Sequence, residues 1–401
     1  MNGVKVFTAS WGQIEGKHSN MGDLIIFEAI IRMLRSMPRV KEIYCYSSEV
    51  EYTNRKYEVT SQNPFSVKGL LRTISHIKKS DIILLGGGEL VQTKSSFMYL
   101  VANLAPGLLS ILFKRKCLAI GAGIADRREI SRTGRVLARF VLNRIEKVCV
   151  RDRGSLRNAL AMGLKEDRLL LAADLAFHLG KTERAGDTRQ GEKVLFCPRF
   201  TKIRKGRLLP ASMMKRFNHK EYQENLNGSA GRFAELLKRI AEEFDVILLP
   251  CYSGREGGGK DRAFSEKILE LSGYPSNVEV YDGSMDFNGI RELIKQTFVT
   301  VGVPVHALIL TSIMHNPAIA ISYASKCSSF MKEVGLEQYV VSIPDSSDEF
   351  SIKRLIELIR SCRFKQREIS TAIKERVKEL CRRNRVNYDA VINCLPNPDI
   401  V

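Results

Sequence analysis

The sequence predicts an α/β protein built from two Rossmann-like parallel-sheet domains. Three observations point there. Short β-type runs alternate with helix-length segments almost from end to end. The internal strand candidates are continuous apolar runs, as in DIILL at 81–85, and not alternating ones, which is the pattern of strands buried on both faces of a parallel sheet. The alternation pauses only from His178 to Glu192, a polar, Gly-containing, turn-rich stretch.

The elements follow in order. Strands are expected at Val4–Ala9, Glu42–Tyr46, Asp81–Leu85, Cys117–Gly121 and Val148–Arg151, with helices at Asp23–Arg35, Val67–Lys78, Ser95–Leu112, Thr133–Ile145 and Gly154–Met162. After the pause come strands at Val194–Pro198, Val246–Pro250, Val278–Tyr281, Phe298–Val303 and Ala318–Ser322. Their helices are Arg232–Glu243, Asp261–Leu271, Phe287–Gln296, His306–His315 and Lys326–Val334. The expected organisation is therefore an N-terminal domain over 1–177, a linker over 178–192, a C-terminal domain over 193–350 and basic helices over 351–401. No sequence repeat of solenoid length is present, so the duplication is architectural. In such sheets ligands bind outside the carboxyl ends of the strands.

Composition narrows the function classes. The 401 residues, 44% hydrophobic and 8% aromatic with only 12 Pro, exclude a low-complexity or disordered chain. A formal charge of +19 favours an anionic partner: a phosphorylated small molecule, a membrane surface or nucleic acid. The nine cysteines are scattered without a CxxC, which argues for reduced, core-packing thiols and against a disulfide framework or a zinc site. The opening residues run straight into a strand-like segment with no signal-peptide pattern. The longest apolar stretch, Tyr99–Phe113, is too short to span a bilayer and contains Pro106. A cytoplasmic setting is expected.

Two basic concentrations stand out. Arg199 to Lys220 contains Arg199, Lys202, Arg204, Lys205 and four further Lys or Arg with no acid, directly after a strand. Lys353 to Arg385 contains 12 Lys or Arg against four Glu and reads first as the solvated face of helices. Both are expected to help the protein meet an anionic membrane.

The residues with chemical potential gather at strand ends. Asn20-Met21-Gly22-Asp23 opens the first helix, where Asn20 and Asp23 serve either as a helix start or as partners for sugar hydroxyls. Gly86-Gly87-Gly88-Glu89-Leu90 follows DIILL, and Gly121-Ala122-Gly123 repeats the arrangement one strand later. Such glycines let a backbone approach a ligand or a neighbouring element closely. Neither run is a P-loop or a full GxGxxG. Arg151 ends a strand and needs an anion, either a neighbouring carboxylate such as Asp152 or a substrate group. Asp174, in the apolar run ADLAF, reads as structural. His306 stands in the first turn of a helix, whose dipole lowers an imidazole pKa toward the range useful for proton transfer. Lys326 occupies the next strand-to-helix turn.

The ordered set resembles the polysaccharide pyruvyltransferase family. It comprises the N-x-G-D start at 20–23, GGGEL at 86–90, GAG at 121–123, RDRGSL at 151–156, ADLAF at 173–177, VHALIL at 305–310, NPAIAISY followed by Lys326, and F-x-x-x-x-G-L at 330–336. The resemblance implies two Rossmann-like domains in a GT-B-like arrangement. It implies transfer of pyruvate from phosphoenolpyruvate to two hydroxyls of a sugar, commonly on a lipid-linked precursor of a cell-surface polysaccharide, with no cofactor and no metal. His306 is then similar to the acid/base histidine, with Lys326, Arg199 and Arg151 on the donor. Asn20, Asp23, Gly87, Gly88 and Glu89 fall on the acceptor side.

One position departs from the family pattern: Pro304 stands where R-x-H would place an arginine. Losing a bidentate guanidinium weakens anion binding by about 1.5–3 kcal/mol or more. Arg199, Arg204 or another cation substitutes, or the donor differs, or the activity is gone. Two other classes compete. One is a GT-B glycosyltransferase using a nucleotide sugar, and the other is a non-catalytic anion or nucleic-acid binder. The absence of a recognised nucleic-acid module with interleaved aromatics argues against a specific nucleic-acid partner.

Overall fold

The computed structural model describes residues 3–12, 20–94, 96–182, 191–199, 219–251, 261–322, 325–342 and 349–396. Its strands pair in parallel throughout. The first sheet contains β1 (Val4–Gly12), β2 (Val40–Ser47), β3 (Thr60–Gln62), β4 (Ile82–Gly86), β5 (Lys116–Ala122), β6 (Lys147–Val150) and β7 (Leu169–Leu171), in the order β3-β2-β1-β4-β5-β6-β7. The second contains β8 (Lys193–Cys197), β9 (Val246–Leu248), β10 (Val278–Val280), β11 (Thr297–Gly302), β12 (Ala318–Ser322) and β13 (Val340–Ser342), in the order β10-β9-β8-β11-β12-β13. Both orders reverse direction beside their first strand, between β1 and β4 and between β8 and β11. Ligands of doubly wound sheets bind at such switch points. The two-domain fold class expected from the sequence is the one observed.

Parallel pairing requires crossovers, and helices supply them. In the first half these are α1 (Met21–Arg35), α2 (Val50–Tyr57), α3 (Val67–Lys79), α4 (Phe97–Leu112), α5 (Arg132–Leu142) and α6 (Arg153–Ala161). The second half has α7 (His219–Ala241), α8 (Asp261–Leu271), α9 (Phe287–Lys295), α10 (Val305–Ile313) and α11 (Ser325–Glu333). Two further helices follow, α12 (Glu349–Phe364) and α13 (Gln366–Cys394). Side-chain caps start many of them: Asn20, Ser66, Ser96, Ser131, Asp152 and Asp286 each accept a first-turn backbone N–H. Each such cap is worth about 1 kcal/mol.

α1 positions the two halves. Twelve of its 15 residues are buried, because one side lies on the first sheet and the other meets the second half. Its Glu28 is 5% exposed and accepts the Phe287 N–H at the start of α9 (3.0 Å) and the Tyr57 hydroxyl (2.9 Å). Lys56 adds an ion pair to Asp286, the cap of α9, at 3.2 Å. α13 ties the halves again from the other end. Its buried stripe of Ile369, Ile373, Val377, Leu380, Asn384 and Asn387 faces inward, while Arg367, Lys374 and Lys378 stay in solvent. The solvated-face interpretation of the second basic segment therefore holds for this helix.

The short elements α2, β3, β7 and β13 had no periodic signal. The three strands are three residues each and exist because a longer neighbour offers them an edge. None of the nine cysteines is in a disulfide, and seven are buried. Burial pushes the thiols of Cys117 and Cys149 up to about 12, so both stay protonated. Residues 183–190 of the expected linker and 200–218 of the first basic segment lie outside the described residues.

Burial raises the Glu28 carboxyl above its ordinary value, and the Phe287 and Tyr57 hydrogen bonds offset this only in part. An acid with a raised folded pKa gives stability that is complete below its unfolded value, near 4.5, and declines as pH rises. Glu28→Gln keeps an acceptor for Phe287 without the charge. Its melting temperature should gain on the wild type between pH 4 and pH 7.5, whereas Glu28→Ala should cost about 1–3 kcal/mol at every pH. Melting curves across that range check both.

Candidate active site

The carboxyl ends of the two sheets carry most of the candidate residues. Asn20 follows β1, Gly87, Gly88 and Glu89 follow β4, and these flank the switch point of the first sheet. Arg199 follows β8 and His306 follows β11, flanking the switch point of the second. The register places Cys197 opposite Gly302, so the turns bearing Arg199 and His306 leave adjacent strand ends. Arg199 is half-buried. Lys326 is the second residue of α11, and its side chain lies outside the described residues. Its neighbour Cys327 contacts the Val303 carbonyl through sulfur at 3.4 Å, which brings the start of α11 against the end of β11.

His306 is one of the contacts between the halves. A Cβ placed on Gly22 would lie 2.3 Å from its Nδ1, so the imidazole rests against the bare backbone of the first turn of α1. Only glycine leaves that space. The same turn is anchored to the second half by the Met21 N–H, which donates to the Cys251 carbonyl at 3.0 Å. The opposite ring nitrogen, Nε2, stands 3.9 Å from Asp174 Oδ2.

Asp174 is the residue that sequence reasoning undervalued. It is 5% exposed, immediately past the end of β7. Its Oδ1 accepts the Ala176 N–H at 3.1 Å, and its Oδ2 pairs with Arg151 Nη1 at 3.4 Å. Its carbonyl accepts from Asn384 on α13 at 2.7 Å. Asn387 completes the brace, accepting from Gly121 N–H (2.9 Å) and donating to the Ala173 carbonyl (3.0 Å). The available signal was an acid inside an apolar run at a strand end; its partners are 23, 132 and 210 residues away.

Arg151 finds its anions within the chain. Besides Asp174 it pairs through Nε with Asp152 Oδ2 at 3.3 Å, and Asp152 also caps α6. Burial opposes its charge, yet Asp174, Asp152 and Glu89 together hold the guanidinium above its ordinary pKa. Asp152 is the neighbouring carboxylate expected for it, and Asp174 is a second.

At the carboxyl end of the first sheet, Asn20 caps α1 through Gly22 N–H (3.2 Å) and donates to Asp23 at 2.8 Å. Gly87 and Gly88 have φ of +76° and +68°, left-handed conformations that glycine adopts without strain. Gly88 also accepts the Gly123 N–H at 2.7 Å, joining the two glycine turns. Tyr99, in the first turn of α4, was not anticipated. It is 43% exposed, and partial desolvation, then the charge of Asp23, raise its phenol above the ordinary value. Among the described residues no group of three or more His, Cys, Asp or Glu could hold a metal ion.

Two parallel sheets of this order define a GT-B-like two-domain architecture. Solved structures share it at the level of fold. A glycosyltransferase from Rickettsia africae superimposes with a TM-score of 0.61 at 11% identity, covering 99% of this chain and 100% of that one. The UDP-GlcNAc 2-epimerase of Neisseria meningitidis gives 0.59 at 12% identity, covering 97% and 100%. More specifically, the chain belongs to the polysaccharide pyruvyl transferase family, whose model matches residues 20–325. The amylovoran biosynthesis protein AmsJ of Erwinia amylovora is 20% identical over 307 residues, 75% of this chain and 70% of AmsJ.

Asp174→Asn should cost about 3–5 kcal/mol in urea unfolding, because it leaves a buried arginine with one carboxylate in place of two. Gly22→Ala should change stability far less but displace the His306 ring. A shift in the His306 proton resonances with a near-native unfolding midpoint would be the expected signature.

Proposed function

We propose that this protein transfers the pyruvyl group of phosphoenolpyruvate to two hydroxyls of a sugar in a polysaccharide precursor, forming a ketal. The observation that carries the reading is His306, an imidazole lying between the first turn of α1 and a buried carboxylate, with the Arg199 turn on the adjacent strand end. Membership in the family supports a role in polysaccharide biosynthesis.

His306 protonates the methylene carbon of the donor and generates an oxocarbenium-like centre. Asp174, 3.9 Å from Nε2, places a carboxylate beside the ring as the proton is carried. A sugar hydroxyl attacks that centre and gives up its proton to the imidazole. The second hydroxyl then closes the ring as phosphate leaves with the remaining proton. Arg199 and Lys326 neutralise the donor, with the N-terminus of α10 adding its dipole. Arg151 is assigned a positioning role in place of the donor contact expected from the sequence, since two carboxylates already occupy it. Pro304 is buried at the cap of α10 and brings no cation, so the anion falls to Arg199 and Lys326. Asn20, Asp23, Glu89 and Tyr99 face the acceptor.

His306→Ala should lower phosphate release from phosphoenolpyruvate, measured with a lipid-linked glycan acceptor, by about 10²–10⁴-fold while the unfolding midpoint holds. Arg199→Ala should instead weaken phosphoenolpyruvate binding by calorimetry. A protein that binds UDP-glucose and not phosphoenolpyruvate would overturn the assignment in favour of glycosyl transfer.

A further inference from the structure

The outer face of the first sheet has an unusual surface. α3, α4 and α5 pack side by side on it through Ile77, Leu100, Leu104, Ala138 and Val141. These three helices contain seven Lys or Arg (Lys68, Arg72, Lys78, Lys79, Arg132, Arg135, Arg139) and no Asp or Glu. The same helices expose large apolar side chains: Val67 is 80% exposed, Leu71 63%, Leu112 69% and Val136 70%, with Phe65 at 83% just before α3. The two kinds of residue interleave. Lys78 of α3 lies over the Phe113 ring at the end of α4 (4.8 Å to its centroid), and Arg144 lies over Phe140 of α5 (3.9 Å).

We propose that this α3–α4–α5 face docks peripherally on an anionic lipid bilayer. Cations without acids complement an anionic surface, and exposed aliphatics gain by entering the boundary between headgroups and acyl chains. Nucleic acid would use the charge but has no use for Val67, Leu71 or Val136. Among the described residues no helix is long and apolar enough to cross a membrane, so the contact lies on the surface. The inference moves the membrane contact away from the C-terminal basic helix, where Glu368, Glu375 and Glu379 interrupt the cations. It is independent of the chemistry proposed above.

The test is flotation of the full-length protein with vesicles of phosphatidylcholine alone or mixed with phosphatidylglycerol. Binding should require phosphatidylglycerol and weaken with salt. Lys68→Glu/Arg72→Glu should reduce partitioning by well over tenfold, at roughly fivefold per charge removed. Leu70→Ser/Leu71→Ser alters only exposed positions and should also release the protein, with an unchanged melting curve. Trp11, the single tryptophan, stacks on Phe65 beside α3, so its emission should shift to the blue on binding. Lys374→Glu/Lys378→Glu on α13 should leave binding intact. The proposal is overturned if no vesicle binding occurs, if only the α13 variant abolishes it, or if the α3 variants lose affinity for duplex DNA but not for vesicles.

Discussion

A carboxylate removed from water has to be answered by charge or hydrogen bonds, and the Asp174 carboxylate is answered from three directions. Arg151 comes from the end of β6, the Ala176 N–H from its own turn, and His306 approaches from the opposite half. Asn384 on α13 holds the Asp174 carbonyl at the same time. One buried residue thereby ties the end of the first sheet to the helix that returns across both halves and lies beside the imidazole of the second. Removing it would disturb the fold and the site together, because in this protein they share the same ion pair.

The two sheets explain why the candidate residues meet. Both have the same strand order, and each opens a crevice beside its first strand. α1 is buried nearly all round because it lies between them, and its first turn presents glycine where the histidine must fit. Arg199, His306 and Lys326 follow strands of the second half, while carboxylates, a phenol, the glycine turns and the carboxylate-paired Arg151 follow those of the first. An anionic donor on one side and a hydroxyl-bearing acceptor on the other suit that division of charge.

Much of this was legible in the sequence. Apolar runs gave the long strands to within a few residues, and Asn20 marked the start of α1 because a helix needs its first N–H groups satisfied. His306 was visible from its place after a strand. Asp174 was not, because what distinguishes it is its partners: Arg151, His306 and Asn384 come together only in three dimensions. Arg151 was legible as needing an anion, but the choice between Asp152, Asp174 and a substrate group is made by packing. The short strands β3, β7 and β13 have too few residues to show a period. The acid-free stretches of α3 and α5 are far apart in the chain, and only the sheet order shows that α4 unites them on one face.

A crystal structure with phosphoenolpyruvate tests the central claim most directly. The account predicts one bound molecule at the switch point between β8 and β11, its phosphate or carboxylate on Arg199 and its methylene carbon beside the His306 imidazole. A donor bound elsewhere, or a site that accepts a uridine nucleotide and leaves phosphoenolpyruvate in solution, would contradict it.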